Sequence, residues 1–341
     1  MKILYDDTIF SLQKYGGISR YFSEVMPRIK KYNGVEVSVF KRLGWKLTRF
    51  NNLIMDYQLN LSKFDIYHPT YYSSTVKKRM NVKTVVTVFD MIHELYLYPI
   101  KIHRDGIPVK KQSIMNADHI ICISQNTKRD LQKIYNIKDE KISVIYLGRP
   151  EGLTIPSKNI NQLLSRPYIL YIGNRNLPYK NFRILMDAIS LFKKNTLIKL
   201  ICFGGGEFTK EEVSEFKNIN VAEAISYLEF SDEIMQSCYA NAIALIYPSL
   251  YEGFGIPILE AMTFGCPVIA SNIASLPEVG GDAALLFSPH SPEELSGCIK
   301  KLINNDALRN EYIEKGKVRC KEFSWDKTAV ETFNVYKKIN G

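Results

Sequence analysis

The chain of 341 residues exceeds the roughly 250 to 300 residues at which a single hydrophobic core stops growing, so two domains are expected. Hydrophobic residues make up 46% and charged residues 23%, proportions that are typical of folded globular proteins and exclude intrinsic disorder. No apolar run approaches the roughly 20 residues of a membrane-spanning helix, and the N-terminus "MKILYDD" soon reaches acidic residues. These features predict a cytoplasmic protein, neither secreted through a signal peptide nor integral to a membrane.

The net charge of +10 is concentrated in the first half of the chain. Residues 1–150 contain 25 Lys and Arg against 13 Asp and Glu, whereas residues 151–341 contain 20 against 22. A basic half of this kind is attracted to anionic lipid headgroups or to nucleic acid, and a merely solvated lysine-rich surface has the same composition. Charge alone leaves these three interpretations open.

Short β-branched runs alternate with stretches of helical periodicity, which indicates βα units on parallel sheets. The runs form two series, at residues 2–5, 35–40, 65–69, 84–89, 119–124 and 142–146, and then at residues 168–173, 198–204, 242–248, 267–271 and 283–287. An α/β protein with two doubly wound, Rossmann-like domains facing each other across a cleft is therefore predicted. Ligands of such sheets bind beyond the carboxyl ends of the strands.

Proline, glycine and polar residues are frequent between the two series, which predicts a linker at residues 151–166. The linker would join an N-terminal domain (1–150) to a C-terminal domain (167–324). The last helix, at about residues 325–341, has apolar residues at helical spacing and is predicted to cross back to the N-terminal domain.

Two loops of the first series carry candidate functional residues. Gly16 and Gly17 follow the first strand and precede a helix, where paired glycines and free helix amides can receive an anion, although such a pair also makes an ordinary turn. Asp90 and His93 follow a strand that should be central; they are candidates for polar chemistry, with a structural pair as the alternative.

A third loop contains Ser124 and Asn126, ahead of a helix. Either these residues lie near the predicted cleft, or Ser124 simply caps the helix.

In the second series, "YIGNRNLPYKNF" places Arg175 and Lys180 in the loop after a strand. Two cations there can neutralise a diphosphate, although solvated loop charges would look similar. The next strand ends in "FGGG", where Gly204 and Gly205 mark a backbone that a ligand can approach closely.

The strongest signal is "YEGFGIPILEAM", which begins at Tyr251. Pro257 fits the first turn of a helix running to about residue 264, so that Glu252 lies in the loop before the helix and Glu260 inside it. A favourable interaction with the helix dipole would explain one of the two glutamates. It would not explain why glycines stand at positions 253 and 255.

These motifs, together with "SDEIMQSCYANAIALIYPS" and "SNIASLPEVGGDAALLFSP", resemble the retaining glycosyltransferases of family 4. The resemblance covers nearly the whole chain and is most specific in residues 168–290. It implies the GT-B fold and the transfer of a sugar from a nucleotide diphosphate to a hydroxyl group, with retention and without a metal or other cofactor. The sequence likewise has no D-x-D, C-x-x-C or H-E-x-x-H motif.

The resemblance also implies roles for individual residues. Glu252 and Glu260 match the E-x7-E motif, the first addressing the donor sugar and the second the ribose, and Arg175 with Lys180 matches the phosphate-binding pair. The remaining donor contacts implied are Gly17 in the N-terminal domain and the backbone of Phe254, Gly255 and Ile256.

One departure concerns the acceptor side. Many members have His-Asp after the strand at 84–88, whereas this chain has Phe89-Asp90, with His93 three residues later. Either Asp90 or His93 takes the acceptor-side role, and the sequence leaves the choice open.

The resulting hypothesis is a hexosyltransferase, with mannose from GDP-mannose as the leading donor because the N-terminal stretch and residues 249–262 look most like mannosyltransferases. The acceptor would be a glycan or lipid-linked glycan of O-antigen or capsule synthesis, reached by an enzyme peripheral to the inner face of the plasma membrane through its basic domain. The alternatives are a UDP-sugar transferase, a transferase with a soluble acceptor, a nucleotide-sugar epimerase and, remotely, a nucleic-acid-binding module. Nucleic acid is not an expected partner, because no recognised binding motif accompanies the basic residues.

Overall fold

The computed structural model describes residues 1–13, 16–43, 48–61, 64–78, 81–96, 106–151, 167–192, 198–229 and 231–341. The chain divides into two compact units. Residues Met1–Gly148 and Phe323–Gly341 form the N-terminal unit, and Arg149–Glu322 form the C-terminal unit. The predicted linker lies outside the described residues except for Glu151, so its conformation stays a prediction.

The N-terminal unit is built on a six-stranded parallel sheet in the order β2-β1-β3-β4-β5-β6. Its strands are β1 Lys2–Asp6, β2 Glu36–Phe40, β3 Ile66–His68, β4 Lys83–Val88, β5 His119–Cys122 and β6 Ile142–Val144. Its first helices are α1 Thr8–Leu12, α2 Gly17–Ile29, α3 Thr48–Leu61, α4 Ile92–Leu95, α5 Gly106–Asn116 and α6 Gln125–Tyr135. Helices that connect parallel strands cover the sheet faces, which is why β4 and β5 are almost entirely buried.

The C-terminal unit has a second six-stranded parallel sheet, in the order β12-β11-β10-β7-β8-β9. Its strands are β7 Tyr168–Ile172, β8 Lys199–Phe203, β9 Ile225–Tyr227, β10 Leu245–Tyr247, β11 Val268–Ser271 and β12 Ala284–Phe287. Its helices are α7 Phe182–Ser190, α8 Lys210–Asn218, α9 Asp232–Asn241, α10 Ile256–Thr263, α11 Leu276–Gly280, α12 Pro292–Asn304 and α13 Asp306–Arg319. This is the Rossmann strand order, which reverses between β7 and β10.

The prediction of two doubly wound α/β domains is confirmed, and all eleven predicted strands are present. The predictions missed β9, which like β6 has three residues and lies at the edge of its sheet. The apolar run of β6 continues into Ile145 and Tyr146, whereas β9 is preceded by the short turn Ala222–Ala224 and followed within two residues by Glu229, so its run is shorter.

The last helix, α14 (Trp325–Asn340), belongs to the N-terminal unit and packs on α2. The Tyr336 hydroxyl lies 2.5 Å from His68 Nδ1 and 2.9 Å from the Tyr5 hydroxyl, and His68 Nε2 lies 2.9 Å from Thr87 Oγ1. These side chains are fully or nearly fully buried. Because a buried polar group without a partner costs free energy, the network favours this position of α14 on the sheet.

None of the described helices is long and apolar enough to span a bilayer. Within the same residues, no group of three or more His, Cys, Asp or Glu side chains is arranged to hold a metal ion.

The buried His68 makes stability depend on pH. Burial lowers the pKa of His68 from 6.5 to about 3, so the folded state keeps the ring neutral while the unfolded chain binds a proton below pH 6.5. The contribution of the neutral His68 ring to the free energy of unfolding is therefore fully present at pH 7.5 and is lost as the pH falls. We expect a loss of about 1 kcal/mol in the free energy of unfolding between pH 7.5 and 5.5 that the variant His68→Gln does not show.

Urea unfolding followed by tryptophan fluorescence measures this difference, because Trp325 is completely buried in the N-terminal unit. His119, whose pKa burial lowers to about 4, is present in both proteins and cancels in the comparison. Equal pH dependence in the two proteins would show that His68 does not stay neutral in the fold.

Candidate functional site

The site is built on the loops that leave β7 and β10, the neighbouring strands at which the order of the second sheet reverses. Crossovers from such strands run to opposite sides and leave a crevice beyond their carboxyl ends. The two loops are joined directly, because Leu250 N donates to Tyr179 O at 2.7 Å and Asn181 Nδ2 donates to Pro248 O at 3.1 Å. Residues far apart in sequence therefore form one surface.

The Glu252 carboxylate lies at the centre of this surface. Lys180 Nζ and Ser249 Oγ both donate to Glu252 Oε1, each at 2.6 Å. The Tyr247 hydroxyl also hydrogen-bonds the carboxylate, and burial together with the Glu252 charge raises the pKa of Tyr247 well above its usual value. The side chains of Lys180 and Glu252 are 15% and 11% exposed, so this charged pair is partly desolvated yet within reach of a ligand.

The backbone around Glu252 is held by a serine behind it. Ser275 Oγ lies 2.8 Å from both Glu252 O and Phe254 O and is completely buried. Gly255 has φ of 112° and is the N-cap of α10; a Cβ there would also lie 3.1 Å from Leu276 Cδ2. The loop thus reaches the N-terminus of α10 in a conformation that strongly favours glycine.

Glu260 lies one turn into α10, after Ile256 and Pro257 of its first turn. Tyr239 donates its hydroxyl to Glu260 Oε2 at 3.1 Å, and burial together with the Glu260 charge raises the pKa of that hydroxyl. Glu260 is half-buried, and its carboxylate accepts from the fixed hydroxyl of Tyr239.

Arg175 does not share the environment of Lys180. Its side chain is 1% exposed, and it donates to Glu212 Oε1 at 3.0 Å, to Gly204 O at 2.5 Å and to Gly206 O at 2.8 Å. Gly204 and Gly205 have φ of 87° and 82°, and a Cβ on Gly204 would lie 2.9 Å from Gly173 O. The glycine loop therefore packs against the β7 loop, and the two cations predicted to form a pair contact different partners.

In the N-terminal unit, Gly16 is the N-cap of α2 and Gly17 its first residue, with Ser19 Oγ donating to Gly16 O at 3.0 Å. Ser124 is the buried N-cap of α6 and accepts from Thr127 N at 3.0 Å. Asn126 Nδ2 donates to Asp130 Oδ2 at 2.9 Å. The structure thus shows the capping role that was one of the two interpretations of the Ser124 loop.

Asp90 and His93 lie where β4 leads into the short helix α4. Asp90 Oδ1 accepts from Ile92 N at 3.0 Å, and Asp90 O accepts from Lys110 Nζ at 2.7 Å. Lys110 also pairs with Glu94 at 2.8 Å, both side chains being at most 5% exposed. The loop is thereby tied to α5, and both residues stay candidates for the acceptor-side role.

Four residues that contact the candidate side chains or their backbone were not predicted from the sequence. Ser249 and Ser275 lie in segments quoted for their resemblance, but only the fold shows that their hydroxyls hold Glu252 and its backbone. Glu212 and Lys110 are separated by 37 and 16 residues from the partners they contact, so no local pattern identifies them.

Comparison with known proteins covers almost the whole chain. A family model described as "Glycosyltransferase Family 4" matches residues 17–150, and one described as "Glycosyl transferases group 1" matches residues 153–319. O-antigen chain mannosyltransferase B of Escherichia coli is 33% identical over 239 residues, which are 67% of this chain and 62% of that protein. The chain therefore aligns with less than two thirds of this relative.

Solved structures agree in fold at low sequence identity. Sucrose-phosphate synthase from Thermosynechococcus elongatus matches with a TM-score of 0.80 and 18% identity, covering 99% of both chains. HepE of Anabaena, solved in complex with UDP and glucose, matches with a TM-score of 0.76 and 18% identity, covering 99% of this chain and 100% of that one. The chain is thus a GT-B protein of the glycosyltransferase family 4 type, with a family 4 N-terminal half and a group 1 C-terminal half.

Proposed function

We propose that this protein transfers a hexose from a nucleotide-diphosphate sugar to the hydroxyl group of a glycan or lipid-linked glycan, with retention at the anomeric carbon and without a metal. The observation that carries the proposal is the partly buried Glu252 carboxylate, held by Lys180, Ser249 and Tyr247 at the switch point of the second sheet. A carboxylate in this place accepts hydrogen bonds from sugar hydroxyls, and the adjacent cation and helix N-terminus attract phosphate.

Lys180 has a second role in this proposal. In the structure it neutralises Glu252 at 2.6 Å. When a diphosphate enters, the ammonium group exchanges the carboxylate for phosphate oxygens, which releases Glu252 Oε1 for a sugar hydroxyl. Donor binding thereby frees Glu252 to accept a hydrogen bond from the sugar. In the same step it brings Lys180 to the phosphate that will leave.

The chemical step breaks the bond between the anomeric carbon and the phosphate oxygen and forms a bond from the same face to the acceptor oxygen. The acceptor proton passes to the departing phosphate. Lys180 and the first amides of α10 stabilise the charge that grows on the diphosphate, while Glu252 orients the sugar. The protein supplies position and electrostatic stabilisation, and Asp90 or His93 would orient the acceptor.

Mannose from GDP-mannose is the proposed donor, and O-antigen or capsule synthesis the proposed setting. The relationship to an O-antigen mannosyltransferase supports both. A UDP-sugar is the alternative donor, since the structurally similar HepE was solved with UDP.

An anionic membrane surface is the proposed partner of the N-terminal unit. Helix α3 buries Met55 and Leu59 but exposes Phe50, Leu53 and Tyr57, which lie on one face at spacings of three and four and are 52%, 68% and 66% exposed. Two basic side chains contact this helix: Arg42 donates to Asn52, and Lys77 forms an ion pair with Asp56. An exposed apolar face beside basic side chains fits the interface of an anionic bilayer.

Replacing Glu252 tests the transfer site. The variant Glu252→Ala should lower turnover by about a thousandfold, because a contact made to the reacting sugar is lost, while we expect the chain to stay folded because Glu252 does not belong to either hydrophobic core cluster. Transfer of labelled sugar from GDP-mannose or a UDP-sugar to a lipid-linked acceptor measures this, with the exposed Glu223→Ala as the matched control. Turnover in Glu252→Ala equal to that of the control would end the assignment.

Replacing Glu260 tests the nucleotide end of the site. We expect Glu260→Ala to weaken nucleoside diphosphate binding about tenfold, since a hydrogen bond to a charged group is lost. The wild type should lose a similar factor with the 2′,3′-dideoxy diphosphate, and the variant should lose nothing further with that analogue. If both proteins discriminate against the analogue equally in calorimetry, Glu260 does not contact the ribose.

If the N-terminal unit binds an anionic membrane surface, the protein should cosediment with vesicles containing phosphatidylserine. It should cosediment little with neutral phosphatidylcholine vesicles. The triple variant Phe50→Ser, Leu53→Ser, Tyr57→Ser should lose most of this binding, because it removes the apolar face and keeps the charge. The control Val318→Ser, Val330→Ser removes exposed apolar side chains elsewhere and should bind as the wild type does. Full binding by the triple variant, or equal binding to both vesicle types, would contradict the assignment.

A further inference from the structure

The sheet of the N-terminal unit has a switch point of its own. Its strand order β2-β1-β3-β4-β5-β6 reverses between β1 and β3, because β2 pairs with one side of β1 and β3 with the other. Ligands of doubly wound sheets bind in the crevice beyond the carboxyl ends of two such strands. The candidate acceptor residues Asp90 and His93 follow β4, so they do not account for this position.

A cavity opens at the β1–β3 switch point. Its volume is about 200 Å³, counting the space at its mouth. The lining is mainly polar and includes Asp6, Thr8, Arg42, Asn52, Tyr67 and Thr75. Cavities that stay empty in proteins are apolar, whereas a polar cavity is filled by water or by a polar ligand.

Asp6 contributes a buried carboxylate to this cavity. Oδ1 accepts from Thr8 N at 3.0 Å, from Thr70 N at 3.2 Å and from Thr70 Oγ1 at 2.7 Å. Oδ2 accepts from the Tyr67 hydroxyl at 3.0 Å, and burial together with the Asp6 charge raises the pKa of Tyr67 well above its usual value. These donors favour the ionised form of Asp6. Because each carboxylate oxygen accepts about two hydrogen bonds, Oδ2 has room for one more donor.

Arg42 lines the same cavity but does not pair with Asp6. Nη1 donates to Thr8 Oγ1 at 3.3 Å and Nη2 donates to Asn52 Oδ1 at 3.4 Å, both longer than a usual N–H···O bond. Asn52 is itself held, since its Nδ2 donates to Ser74 Oγ at 3.0 Å. Among the residues that the structure describes, Arg42 forms no ion pair, and its other guanidinium N–H groups have no acceptor. The guanidinium group therefore keeps donors for a ligand.

A carboxylate and a guanidinium group that share a cavity without forming an ion pair limit the chemistry of a ligand. A phosphate would be attracted by Arg42 but repelled by Asp6, and an ammonium group would meet the opposite forces. A hydroxyl group both donates and accepts, so it can donate to Asp6 Oδ2 and accept from Arg42. A sugar carries several such hydroxyl groups at fixed positions. The lining therefore fits a neutral sugar better than an ion.

We propose that Asp6, Arg42 and Asn52 form a subsite for a neutral glycosyl unit of the acceptor at the β1–β3 switch point. The sugar donates to Asp6 and accepts from Arg42, while Asn52 keeps the guanidinium group in place. That this sugar belongs to the acceptor rests on the proposed function, whereas the binding of a sugar by the cavity does not. The subsite is additional to the Asp90 and His93 loop after β4.

Binding of soluble methyl glycosides tests the subsite without a donor or a membrane. NMR titration with the methyl α-glycosides of mannose, glucose and galactose should identify a neutral hexoside that binds the wild type. Affinity for that hexoside should fall about tenfold in Arg42→Gln, because hydrogen bonds from a charged group are lost. The control Lys41→Gln removes the exposed cation next to Arg42 in the sequence and should bind as the wild type does.

Two further measurements separate sugar binding from anion binding and from a change of fold. The side-chain Nε–Hε signal of Arg42 should shift as the hexoside is added, and inorganic phosphate should not displace the hexoside. Thermal unfolding of Arg42→Gln should match that of Lys41→Gln. Failure of the wild type to bind any of the three glycosides, unchanged affinity in Arg42→Gln, or displacement by phosphate would each overturn the subsite.

Transfer assays distinguish the subsite from the proposed function. If hexoside binding depends on Arg42 but no sugar is transferred from GDP-mannose or a UDP-sugar, the proposed function fails and the sugar site stands. If transfer takes place, Arg42→Gln should raise the KM for a lipid-free glycan acceptor about tenfold and leave kcat nearly unchanged, because the contact is made equally before and during the reaction. An unchanged KM would show that the sugar in this cavity is not part of the acceptor.

Discussion

The ion pair between Lys180 and Glu252 is the contact on which the rest of the site depends. It links the loop after β7 to the loop after β10 with an Nζ–Oε1 distance of 2.6 Å, across 72 residues of sequence. The pair exists because the parallel sheet reverses its strand order there, bringing the carboxyl ends of β7 and β10 together. Ser249, Tyr247 and Ser275 then hold the carboxylate and its backbone in place.

A partly desolvated ion pair is a suitable starting state for binding a dianionic ligand. Neither charge is left uncompensated in the free protein, and the ligand's phosphate can replace the carboxylate as the partner of Lys180. In the free protein Arg175 lies outside this pair and is bound to Glu212 and to loop carbonyls. Two cations that are close together in the sequence thus have different partners, Lys180 a carboxylate at the site and Arg175 a carboxylate and backbone carbonyls of the glycine loop.

Much of the fold and the location of the site could be predicted from the sequence, for physical reasons that also explain the failures. Central parallel strands are buried on both faces, so their β-branched runs can be recognised in the sequence, whereas β9 lies in a short apolar run between Glu223 and Glu229. Pro257 marked the first turn of α10 because a proline there costs no helix hydrogen bond, and Gly255 supplies the positive φ of the N-cap. The direction of the Arg175 side chain and the contacts of Ser275 depend on strand order and on loops distant in sequence. Local patterns carry no information about either.

The most direct test of the account is a calorimetric comparison of the wild type and Lys180→Gln with GDP, UDP and the corresponding nucleosides. The account predicts that the wild type binds a nucleoside diphosphate, with GDP preferred. It also predicts that the variant loses at least about tenfold in affinity for that diphosphate, the equivalent of one charged hydrogen bond, while nucleoside binding is unchanged. A wild type without affinity for either diphosphate, or a variant that binds the diphosphate as tightly as the wild type, would contradict it.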